Sequence, residues 1–99
     1  MVIVEVTIVP LGTKTTSLSK YVAGIHELLK GQDKVGFDLT PMGTILEGEL
    51  DQCLELIRKM HEVPFENEAK RVSTQIRIDD RRDIKSSMDR KIKSVKEKL

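Results

Sequence analysis

The sequence predicts an α+β fold on two observations. Four stretches of alternating or β-branched residues, near positions 2–9, 35–40, 44–49 and 70–79, are separated by two stretches of helical periodicity, in the order β-α-β-β-α-β. A third helical stretch follows the last strand. This order is the split βαβ pattern of ferredoxin-like domains: a four-stranded antiparallel sheet with two helices on one face, here with an added C-terminal helix.

Val2 to Val9 is almost wholly β-branched, and Pro10-Leu11-Gly12 ends the strand. Val2, Val4, Val6 and Ile8 share one face, while Ile3, Glu5, Thr7 and Val9 make the other a mixture of polar and apolar groups. Such a strand belongs inside a sheet covered by helices on one side only. The hydroxyl-rich stretch 13–17 offers caps for a helix over 17–30, with Ser17 or its neighbour as the cap. Leu18, Val22, Ile25 and Leu29 recur there at spacings of four, three and four, with Tyr21 and Leu28 alongside, and Gly31 ends the run.

Val35, Phe37 and Leu39 alternate with Gly36, Asp38 and Thr40; Pro41-Met42-Gly43 then turns the chain into a second run, Thr44 to Glu49, making a hairpin. Leu50, Cys53, Leu54, Ile57 and Met60 or His61 predict a second helix that closes before Pro64, with Asp51 near its positive end. From Lys70 to Asp79, Val72, Thr74, Ile76 and Ile78 face one way and Arg71, Ser73, Gln75 and Arg77 the other, which makes a fourth strand. Asp79 or Asp80 is placed to cap a last helix, striped by Ile84, Met88, Ile92, Val95 and Leu99. That stripe needs a partner surface.

Ninety-nine residues leave room for one hydrophobic core, so 1–99 reads as a single domain. With 38% hydrophobic residues, one Tyr, two Phe and no Trp, that core is thin, which favours self-association. The formal charge of +1 supplies no field to draw nucleic acid or an anionic membrane. Cys53 is the only cysteine, which excludes an intrachain disulfide and a cysteine-based zinc site and suits the cytoplasm. The apolar N-terminal run carries Glu5, lacks a basic leader and is far shorter than the roughly 20 residues of a membrane span.

The sheet face without helices holds Glu5, Thr7, Glu47, Gln75 and Arg77 mixed with Ile3, Val9 and Ile45, and reads either as a solvated face or as an oligomer interface enclosing polar groups. Glu47 sits in the middle of a short strand after a Pro-Met-Gly turn. It is either an exposed residue paired with Arg77 or Lys70, or a carboxylate lining a partly buried pocket. His61 lies at the end of the second helix, where it either complements the last carbonyls or rims a pocket. His26 and His61 form no short-spaced ligand pair, so no metal is expected. There is no Gly-rich phosphate loop, nucleophile elbow or distinctive carboxylate pair, so neither an enzymatic activity nor a cofactor is expected. The basic excess of 81–99, eight Lys or Arg against three Asp or Glu, has no aromatic partner for stacking on bases and reads as the solvated side of a helix.

Ile8-Val9-Pro10-Leu11-Gly12, Ser17 to Val22, Pro41-Met42-Gly43-Thr44 leading to Glu47-Gly48, Met60-His61-Glu62, Arg71-Val72 and Ile78-Asp79-Asp80-Arg81 together resemble the small thiamine-binding protein family, whose members are similar to one half of the two-domain YkoF protein. The resemblance spans nearly the whole chain. It implies a ferredoxin-like domain that associates through its sheets into dimers and a homotetramer, a dimer of dimers. It also implies a non-enzymatic role in binding thiamine or its hydroxymethylpyrimidine half. Carried over residue by residue, the pocket draws on Thr7, Ser17, Ser19, Met42, Gly43, Thr44, Glu47, His61, Arg71 and Val72, with Glu47 accepting from the exocyclic amine of the pyrimidine. Only Phe37, Phe65 and Tyr21 are available to stack on a flat ring. The competing expectation is an oligomeric structural or regulatory module without a small ligand.

Overall fold

The structure is a computed structural model that describes residues 1–12, 19–83, 92, 93, 95 and 96. Its elements are β1 (Val2–Pro10), α1 (Ser19–Lys30), β2 (Gly36–Thr40), β3 (Gly43–Gly48), α2 (Leu50–Glu66) and β4 (Val72–Asp79). The strands form one sheet in the order β2-β3-β1-β4, with every neighbouring pair antiparallel. This is the expected ferredoxin-like α+β architecture.

Alternation along β1 sends Val2, Val4 and Val6 to the helix side, where they pack with Leu46 of β3 against Ile25 and Leu29 of α1 and Cys53, Leu56, Ile57, Met60 and Val63 of α2. The two helices meet closely at Gly24, where a Cβ would lie 2.8 Å from Cγ1 of Val63. Any larger residue would push α1 away from α2.

Three details differ from the periodicity reading. Tyr21, Ile25 and Leu29 are the buried side of α1, and Val22 is 55% exposed. At 3.6 residues per turn those three share one arc, and Val22 falls past its edge. On α2, Leu56, Val63 and Pro64 are buried and Leu54 is 39% exposed, because contact with α1 rotates the covered arc away from Leu54. The helix also runs through Pro64 to Glu66 instead of closing before it. Pro64 forfeits its own bond to the carbonyl four residues back and its ring crowds that carbonyl, but only two residues of helix follow it. The end is then sealed by Asn67 N–H and Ala69 N–H, both donating to Pro64 O at 3.0 Å, and by the Asn67 side chain donating to Val63 O at 2.9 Å.

Of the expected third helix, Ile92, Lys93, Val95 and Lys96 are helical. Ile84, Met88 and Leu99 lie outside the described residues, as do Leu18 and the Ser17 cap of α1. Among the described residues no helix is long and apolar enough to cross a membrane.

Candidate functional site

Antiparallel pairing brings distant segments to one end of the sheet. Pro10, the last residue of β1, is opposite Val72, the first of β4, and Leu11 N–H donates to Arg71 O at 2.8 Å. Thr44, near the start of β3, is opposite Val6. The last turns of α2 come to the same end because that helix must deliver the chain to β4, and α1 starts there with Ser19 because it follows β1. Thr7, Ser19, Met42, Gly43, Thr44, His61, Arg71 and Val72 are thus carried on backbone that converges on one end. Ser17 lies outside the described residues.

On the helix side of this end, Thr44 is buried and Val72 is half-buried. The half-buried His61 reaches down from α2 to β4, and its Nδ1 lies 2.7 Å from Thr74 Oγ1 in a hydrogen bond. Phe65, one turn further along α2, meets the imidazole edge-on with ring centroids 5.5 Å apart. Thr74 is not among the candidate residues read from the sequence, and Phe65 enters there only as one of three rings available for stacking. Their spacing from Val72 and from His61, two on a strand and four on a helix, was the available signal.

On the opposite side of the same end, the Thr7 hydroxyl donates to Met42 O at 3.2 Å. Gly43 adopts φ +150°, and a Cβ there would stand 2.8 Å from Thr7 Oγ1 and 2.9 Å from Val6 O, so only glycine fits. The Thr40 hydroxyl donates to Gly43 O at 2.8 Å and accepts from Met42 N–H at 3.2 Å. These bonds pin the hairpin tip and leave the Met42 side chain 79% exposed. The end of the sheet therefore offers hydroxyls, carbonyls, an imidazole, a thioether and an aromatic edge, a set suited to reading a small polar heterocycle.

Glu47 stands apart from this group. It lies on the open face of β3, opposite Ile3 on one side and Gly36 on the other, in a row that ends at Asp79. Thr44 and Glu47 are three residues apart in β3, so they point to opposite faces and sit about 10 Å apart along the strand. Within one chain the structure does not bring Glu47 together with Thr44 or His61. The next row across the open face reads Asp38, Ile45, Glu5, Arg77, so Arg77 faces Glu5 across β1 and β4 rather than Glu47. Glu5, Thr7, Gln75, Ile76 and Arg77 line a shallow depression of about 460 Å³ at this edge of the sheet.

Comparison with known proteins agrees with this architecture. The family model described as thiamine-binding protein matches residues 4–96. The chain is 47% identical over 102 residues to the UPF0045 protein YqgV of Bacillus subtilis, covering 100% of this chain and 98% of that protein. It is 44% identical over 100 residues to a UPF0045 protein of Methanothermobacter thermautotrophicus, covering 100% of each. The crystal structure of the hypothetical protein MJ1052 of Methanocaldococcus jannaschii superposes with a TM-score of 0.84 at 38% identity, over 97% of this chain and 96% of that one. By a match along nearly its whole length, the chain belongs to the thiamine-binding protein family.

Proposed function

We propose that this chain binds thiamine or its hydroxymethylpyrimidine half without transforming it, at the end of the sheet where α2, β4 and the hairpin tip converge. The observation that carries the reading is the His61–Thr74 hydrogen bond, half-buried beside Phe65 in a chain of the thiamine-binding family. An aminopyrimidine presents an exocyclic amine and ring nitrogens, which hydroxyls, carbonyls and an imidazole can satisfy. Thr44 and Val72 supply the inner wall, the Met42 and Gly43 backbone the outer one, and Thr7 and Arg71 the rim, to which the family resemblance adds Ser17 and Ser19.

Glu47 accepts from the amine in this reading only through assembly, when a second copy packed on the open face presents its own carboxylate to the ligand. The proposed assembly is a homotetramer built as a dimer of dimers. Its support is the open face, where Ile3, Val9 and Ile45 stand among Glu5, Glu47 and Arg77. The protein is placed in the cytoplasm, where its single thiol stays reduced, and its partners are small molecules and copies of itself rather than nucleic acid or membrane.

Isothermal calorimetry with thiamine and with hydroxymethylpyrimidine tests the reading. The native chain should give saturable heat with at least one of them, and His61→Ala should weaken it tenfold or more. No heat with either compound overturns the proposal, and unchanged affinity in Glu47→Gln removes Glu47 from the site. The same mixed open face also favours a ligand-free structural or regulatory oligomer. A native mass spectrum retaining one small molecule per chain would count against that second reading.

A further inference from the structure

Strand β4 forms one edge of the sheet, and its helix-facing side is only partly roofed. Ile76 and Ile78 lie opposite Val6 and Val4 on that side, yet they are 46% and 43% exposed, whereas Val6 and Val4 are 1% and 0% exposed. The cover stops at α2. Leu54, His61 and Phe65 run along one flank of that helix, and the bond from His61 to Thr74 identifies it as the flank above β4. Leu54 and Phe65 are each 39% exposed. An apolar groove about 16 Å long therefore runs between helix and strand, with Leu54 and Phe65 above and Ile76 and Ile78 below.

The chain carries a second uncovered apolar surface. Ile92 and Val95 are helical and 54% and 59% exposed, and they belong to the sequence stripe Ile84, Met88, Ile92, Val95, Leu99. The spacing of that stripe in the sequence predicts a helix of about 22 Å, enough to fill the groove. Ile92 and Val95 are exposed in the same chain as Ile76 and Ile78, so neither pair covers the other within it. Their charges are complementary: α2 carries four Asp or Glu against two Lys or Arg, whereas 84–99 carries six Lys or Arg against two Asp or Glu.

We infer that the groove between α2 and β4 receives the C-terminal helix of a second copy of this chain, exchanged reciprocally about a two-fold axis. The inserted Ile92 and Val95 complete the roof over Ile76 and Ile78, and the basic flanks of the stripe lie along the acidic side of α2. This contact differs from the open-face packing and stands whether or not thiamine is the ligand.

Cross-linking in a mixture tests the exchange. A full-length Ile76→Cys chain is mixed with a mass-tagged full-length Val95→Cys chain and treated with a short bis-maleimide; Cys53, 0% exposed, stays silent. A covalent heterodimer joining the two engineered cysteines is expected. Cross-links formed only when both substitutions sit in one molecule, only between two copies of Val95→Cys, or not at all, would each overturn the inference. Ile78→Cys, on the same face two residues along, repeats the test should Ile76→Cys fail to fold, with circular dichroism reporting folding.

Discussion

Nδ1 of His61 and Oγ1 of Thr74, thirteen residues apart in sequence, stand 2.7 Å from one another and join the last turns of α2 to the edge strand of the sheet. In Thr74→Val the shape of the strand is kept and the hydroxyl lost, leaving a half-buried imidazole nitrogen without its partner. The expected cost is about 1 kcal/mol, read as a lowered urea midpoint with an unchanged slope. An unshifted midpoint would mean that the bond contributes nothing to stability.

Gly24 sets the distance between α1 and α2. Alanine is favoured over glycine in a helix by about 1 kcal/mol, but here its Cβ would meet Cγ1 of Val63, a β-branched side chain on the facing helix, at 2.8 Å. The clash should win, and Gly24→Ala should be destabilised by roughly 1–3 kcal/mol. Adding Val63→Ala removes the obstructing methyl group, so the pair of changes should cost less than their sum by more than about 0.5 kcal/mol in a double-mutant cycle.

Gly43 is a harsher case because the obstacle includes backbone. A Cβ there meets Val6 O at 2.9 Å as well as the Thr7 hydroxyl, at φ +150°. Gly43→Ala should lose about 2 kcal/mol or more in chemical denaturation. Thr7→Ala should not rescue it, since the Val6 carbonyl remains; full rescue would place the conflict in the side chain alone.

Cys53 is packed in the core, where burial, and then the nearby Glu49 carboxylate, push its thiol above the ordinary value of 9.0, only partly opposed by the N-terminal ammonium. The native protein should therefore react with thiol reagents at neutral pH only through opening of the fold, and much more slowly than the urea-unfolded chain. The folded form holds the proton more tightly than the unfolded one. Its contribution is fully present below the unfolded value and is lost as pH rises through the folded one. Between pH 8 and 10 the native chain should lose more stability than Cys53→Ala; parallel curves would show the thiol to be uncoupled from folding.

Much of this fold is legible residue by residue. Val2, Val4 and Val6 announce a covered strand face through their alternation, and Pro41-Met42-Gly43 announces the turn between β2 and β3. The arcs of the helices are legible only approximately. Val22 and Leu54 fit an amphipathic stripe as well as Tyr21 and Leu56 do, and the packing of α1 on α2 through Gly24 and Val63 decides between them. Pro64 reads as a stop until its place in the last turn and the bonds that Asn67 and Ala69 give to its carbonyl are seen.

Periodicities of two and of 3.6 are properties of the local backbone, so the residues alone are enough to establish the element order, the four strands and the mixed character of the open face. Pairing register is different, because it depends on contacts between segments far apart in the chain, whose total packing no short window contains. Register with Ile3 and Gly36 carries Glu47 to the open face, away from Thr44. Register with β1, under the end of α2, brings Thr74 to His61 and leaves Ile76 and Ile78 uncovered beside it.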